Sequence, residues 1–111
     1  MPEMHFTIEW PNGKRERCYS PSYIIEDYLV PGRAYPVPEF LERAGAALEG
    51  ASERVRQRYG FACSSALDQL RDLREASAEL TPAERALEVT VVAFEKHPGR
   101  DARALTEEPS Q

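Results

Sequence analysis

Long apolar runs, paired cysteines and clustered histidines are all scarce in this chain, and each scarcity removes a class of function. No window approaches the ~18 apolar residues that a bilayer-spanning helix needs, so membrane insertion is not expected. The start, MPEMHFTIEW, lacks the basic residues, apolar stretch and small-residue cleavage site of a secretory signal, which disfavours export and points to a cytoplasmic setting. Cys18 and Cys63 stand far apart, outside any CxxC or His-paired zinc spacing, and read as two reduced thiols. His5 and His97 are the only histidines. A zinc site generally takes three or four ligands at fixed spacing, so no metal is expected. Glycine-rich phosphate loops, serine elbows and His-backed nucleophiles are absent as well, and no cofactor is implied. A formal charge of -5 argues against non-specific nucleic-acid binding, which draws on clustered Lys and Arg.

What is present fits one domain. The 111 residues, 41% hydrophobic and 30% charged, suffice for a single core. Met4, Phe6, Ile8 and Trp10 alternate with His5, Thr7 and Glu9, the period of a strand with one buried face. Asn12-Gly13 then predicts a tight turn and a polar return strand from Lys14 to Tyr19, its charges suited to a sheet edge. Ser20-Pro21 reads as a helix start, with a short helix to about Leu29 stopped by Pro31-Gly32. After a loop through Tyr35-Pro36, Pro38 opens a long helix. Its stripe of Phe40, Leu41, Ala44, Leu48, Ala51, Val55 and Tyr59 ends at a Gly60 cap.

Ser64 or Ser65 caps the next helix, whose inner face is Ala66, Leu67, Leu70, Leu73, Ser77 and Leu80. The short connection predicts an antiparallel helical hairpin, and the alanines with Gly45 or Gly50 permit close approach. Thr81-Pro82-Ala83-Glu84 has the form of a capping box. The β-branched run that follows favours a strand, with Leu87, Val89, Val91 and Ala93 facing the helices. The expected fold is therefore α+β, ordered ββ-α-αα-β: a three-stranded antiparallel sheet covered on one face by the helical hairpin. Residues 1–96 form the domain and 97–111 a mobile tail. Val92 and Phe94 fall on the open sheet face, beside Thr7, Glu9 and Thr90, where a second copy of the chain could dock.

The segments EWPNGKRERCYSPS, DYLVPGRAYPVPEFLERA, ASERVRQRYGFACSSALDQL and VTVVAFE resemble a small bacterial family of nitrogen-starvation response proteins. The likeness covers about residues 1 to 95, and RYGFACSSALDQL is its most distinctive part. It implies a gene-cluster setting with a nitrilase, a radical-SAM enzyme, an acetyltransferase and a flavoprotein as candidate partners. The family supplies no catalytic residues to carry over.

Cys63 precedes a predicted helix, where orphan N–H groups stabilise a thiolate, so it is the best nucleophile candidate. It also lies on the apolar stripe, where a cysteine commonly just packs. Arg54 and Arg58 share one side of the long helix and either complement its C-terminal carbonyls or grip an anion together with Arg15 or Arg17. Asp68 sits in a first helical turn, a routine place for an acid, or shapes a site with Cys63 and Arg58. Asp27, Tyr28 and Tyr35 surround the Pro-Gly loop, and tyrosines with polar tips either line pockets or plug a core edge. The favoured reading is a non-catalytic accessory or binding protein. Two others stand beside it: a small thiol enzyme or redox carrier using Cys63, and a sensor of small nitrogen compounds.

Overall fold

In the computed structural model, which describes residues 3–60 and 64–97, the alternating N-terminal segment forms strand β1, Glu3–Glu9, with Met4, Phe6 and Ile8 fully buried. Gly13, at φ 88°, turns the chain into β2, Arg15–Ser20, which pairs antiparallel with β1. That conformation suits a residue without a Cβ. The expected helix to Leu29 is instead a 3-10 turn over Tyr23–Asp27. Ser20 is the last residue of β2, and Ser22 caps the turn by accepting the Ile24 N–H at 3.3 Å. Two consecutive β-branched residues, Ile24 and Ile25, weaken any longer helix here.

Tyr35-Pro36, expected in a loop, belongs to a third strand, β3, Ala34–Pro36. A residue before proline is pushed toward extended backbone, and both Tyr35 and Val37 precede one. Pro36 is tolerated because β3 is an edge strand. Helix α1, Val37–Tyr59, and helix α2, Ser64–Ala78, follow as the two long amphipathic rods. Gly60 ends α1 at φ 87° with its N–H on the Arg56 carbonyl. Gly45 approaches Leu70 of α2, whereas Gly50 faces Ile24 of the 3-10 turn rather than α2. Thr81 and Glu84 form the capping box of the one-turn helix α3, Pro82–Arg85. Strand β4, Glu88–His97, closes the described chain, so His97 is a strand residue, and the rest of the expected tail, 98–111, lies outside the described residues.

The sheet thus has four strands, in the order β2-β1-β4-β3, where three were expected. The element order ββ-α-αα-β is corrected accordingly to two strands, a 3-10 turn, a third strand, three helices and a fourth strand. Local patterning could not reveal β3, whose existence depends on pairing Tyr35 with the distant Val89. One sheet face packs on the helices: Met4, Phe6, Ile8, Cys18, Val89 and Val91 share a core cluster with Phe40, Ala44, Leu48, Ala66, Leu70 and Leu73. Burying each large side chain of this set contributes about 1.5–3 kcal/mol.

A second correction concerns β4. Ile8 pairs with Val91 and Thr7 with Ala93, which leaves Val92 as the extra residue of a β-bulge. The bulge reverses the alternation beyond it. Phe94 therefore stands opposite Phe6 and packs, partly buried, against the core, while Ala93 is exposed opposite the half-buried Thr7, against expectation. Leu87, also expected inside, precedes the strand and is exposed. The open face is consequently polar. It carries Arg15 on Glu9 at 3.0 Å, Arg17 bidentate on Glu95 at 2.9 and 3.1 Å, and Tyr19 donating to Glu3 at 3.1 Å.

Candidate functional site

The loop after the 3-10 turn is shaped by Pro31-Gly32 and tied down to β4. Gly32, at φ 87°, donates its N–H to the Val91 carbonyl at 2.7 Å, and Val91 returns an N–H to Arg33 at 2.8 Å. Between this loop, β3 and the first turns of α1 lies a recess of about 320 Å³. Its walls include Tyr28, Tyr35, Arg33, Asp27, Glu39 and Arg43.

Arg43 braces these walls. Its Nε donates to Glu39 at 2.8 Å, one turn earlier on α1, and Nη1 donates to the Tyr28 carbonyl at 3.0 Å. The guanidinium lies 5.0 Å over the Tyr35 ring, within the range of a cation–π contact. The Tyr35 hydroxyl in turn accepts the Val30 N–H at 3.0 Å. One arginine therefore joins the 3-10 turn, β3 and α1. By contrast, Arg33 and Asp27 are exposed and have no ion-pair or side-chain hydrogen-bond partner among the described residues. The recess thus offers an uncommitted charge of each sign against aromatic walls.

Of the candidates drawn from the sequence, Tyr28 and Tyr35 meet in this recess. The arginines do not gather. Arg15 and Arg17 lie on the sheet face away from the helices, each paired to a carboxylate. Arg54 donates to Ser22 Oγ at 3.1 Å, and Arg58 lies over the Tyr59 ring at 5.9 Å. Asp68 pairs with Arg71 at 3.2 Å and borders a shallow groove with Tyr19, Ser65, Gln69 and Asp72. Gln69 there accepts the Tyr19 N–H at 3.0 Å and donates to Glu16 at 3.3 Å, so it covers part of the β2 edge. Cys63 lies outside the described residues. Cys18 is buried, and desolvation, followed by the charges of Glu16 and Asp72, pushes its thiol far up, which keeps it protonated.

Arg33 and Arg43 went unnoticed in the sequence. Arg33 adjoins the Pro-Gly loop already singled out, a signal that could have found it. Arg43 sits four residues after Glu39, and that spacing alone indicates only a helix-surface ion pair.

Among the described residues, no three His, Cys, Asp or Glu side chains converge as a metal cage, and no helix is long and apolar enough to cross a membrane. The molecule is thus an α+β domain with a mixed-charge recess beside a helix-covered antiparallel sheet. Comparison with protein families matches residues 5–94 to the nitrogen starvation-induced protein NitG. The chain belongs to that family. Neither a curated protein nor a solved structure matches it.

Proposed function

We propose that this chain is a non-catalytic accessory protein of the nitrogen-starvation response that works by binding, with the recess at Arg33 as its small-ligand site. The observation that carries the reading is the pairing of a rigid wall, held by Arg43, with the uncommitted charges of Arg33 and Asp27. A planar guanidinium suits a carboxylate and a nearby acid suits an ammonium group, so a small zwitterionic nitrogen compound fits both. Membership of the family supplies the physiological setting. Within it, the protein acts in the cytoplasm, with the nitrilase, radical-SAM enzyme, acetyltransferase and flavoprotein of the cluster as its protein partners.

A thermal-shift panel of α-amino acids, amides, nitriles and simple carboxylates tests the ligand site. A ligand that binds only the folded chain raises its melting temperature with concentration. The zwitterions should do so for the parent protein and fail to do so for Arg33→Ala. Equal shifts in both proteins, or none across the panel, would defeat the reading. For the partners, affinity capture from nitrogen-starved cells should recover at least one cluster enzyme, and recovery of none under conditions that preserve known complexes counts against that part.

A further inference from the structure

On the open sheet face, outside the recess, the two histidines of the chain come together from opposite ends of the sequence. His5 on β1 pairs in register with Glu95, which puts His97 of β4 diagonally beside it. Nδ1 of His5 and Nε2 of His97 are 3.1 Å apart, one nitrogen donating to the other. The ring centroids are 5.2 Å apart, with the planes at 78°. Two imidazole nitrogens at this separation can share one proton between their facing lone pairs, and a metal ion can take the place of that proton. With metal–nitrogen bonds of about 2.0–2.1 Å, two ligands subtending 90° stand about 2.9 Å apart, and at the tetrahedral angle about 3.3 Å. The observed separation falls between the two.

We propose that His5 and His97 form a two-nitrogen site for a transition-metal dication of the kind imidazole favours, Ni²⁺, Cu²⁺ or Zn²⁺. No third His, Cys, Asp or Glu side chain completes a cage among the described residues, so water fills the remaining positions. A turn about the terminal torsion of each ring, which is soft, aims both lone pairs at one point. The surrounding charge favours a cation: Glu3 and Glu95 both lie near His5, opposed by Arg17, which is itself paired to Glu95. This site is independent of the recess, and neither stands or falls with the other.

The test is calorimetric titration of Ni²⁺ into the full, untagged chain carrying Cys63→Ser, which removes a competing thiol. One Ni²⁺ per chain is expected, and uptake should weaken as pH falls through the imidazole range. His5→Gln and His97→Gln should each lower the affinity by at least about tenfold, the low end of the cost of losing even an outer-shell partner. A second measurement on the same chain needs no histidine variant: substoichiometric Cu²⁺ should broaden backbone NMR signals around His5 on β1 and His97 on β4 before those around Arg33. No uptake at millimolar Ni²⁺, uptake unchanged by either substitution, or broadening centred elsewhere overturns the proposal.

Discussion

The guanidinium of Arg43 lies 5.0 Å over the ring of Tyr35, whose hydroxyl holds the Val30 N–H at 3.0 Å. Because Arg43 also bonds the Tyr28 carbonyl, this contact links three elements that are separate in the sequence. Arg43→Ala removes the cation–π contact and one charge-assisted hydrogen bond, a loss of about 1–2 kcal/mol. Its partly exposed ion pair with Glu39 adds little. Arg43→Lys keeps the charge but not the fork and should recover only part of the loss. Urea denaturation checks this, and a stability for Arg43→Ala within about 0.5 kcal/mol of the parent, the range of ordinary surface changes, would refute the bracing role.

Arg33 should behave in the opposite way. Its side chain is exposed and makes no ion pair among the described residues, so Arg33→Ala should alter stability by no more than about 0.5 kcal/mol. Ligand-induced stabilisation should nonetheless disappear. Comparing urea midpoints with thermal shifts across the two arginine variants thus separates building the recess from filling it.

The bulge at Val92 makes a sharper forecast. Deleting Val92 leaves Val91 on Ile8, Ala93 on Thr7 and Phe94 on Phe6 as an unbroken antiparallel ladder, so the shortened chain should still fold with its inner face intact. Inserting one alanine after Ala93 instead turns Phe94 out to solvent. That variant should be less stable than the parent by up to about 1.5 kcal/mol, since Phe94 is only partly buried and full burial of such a side chain starts near that value. If the deletion proved more damaging than the insertion, the bulge would have a role beyond register.

These elements also show where the sequence was legible. Local signals were enough for β1, the Asn-Gly turn, α1 with its Gly60 cap, the existence of α2 and the Thr81–Glu84 capping box, but Tyr59 and Leu67, expected on the inner stripes, are exposed, and Ser64, expected as a cap, is the first residue of α2. β3 was not legible: three residues carry too little period, and its partner, Val89, is remote in the chain. Nor does simple alternation disclose an extra residue, which is why Ala93 and Phe94 exchanged faces. Tyr28 and Tyr35 were identifiable because they flank a Pro-Gly turn. The grouping of Arg15 and Arg17 with Arg54 and Arg58 failed because strand parity sends the first two to the face opposite the helices.

The histidine pair gives stability a pH dependence of definite sign. Desolvation first, then Arg17 and His97, lower the pKa of His5, against the opposing pull of Glu95 and Glu3, with Tyr19 at its edge. A folded-state value below the unfolded one means that the unfolded chain takes up the proton first. The contribution of His5 is therefore complete above its ordinary pKa of about 6.5 and is lost as pH falls through the lower folded value. Glu53 and Glu95 are depressed too, chiefly by hydrogen bonds from Arg56 and Arg17, but their contribution is lost in a separate, more acidic window. Urea midpoints measured from pH 7.5 down to pH ~5 should fall in the parent and flatten in His5→Gln. An unchanged slope in that variant would assign the effect to other groups.

Cys18 supplies the last forecast. Its side chain is fully buried on the inner face opposite Phe6, and its thiol donates to the Glu16 carbonyl at 3.9 Å. Only the thiolate attacks an alkylating reagent, and burial both suppresses that form and blocks approach. In a Cys63→Ser chain, native labelling of Cys18 should be far slower than labelling in urea. Its rate should rise with denaturant in step with unfolding, because the opened state is the one that reacts. Cys18→Ala leaves a small void and should cost about 1 kcal/mol. Rapid labelling of Cys18 under native conditions would mean that β2 opens without global unfolding. The Gln69 contacts with Tyr19 and Glu16, which hold α2 against that strand, would then be too weak to close the edge.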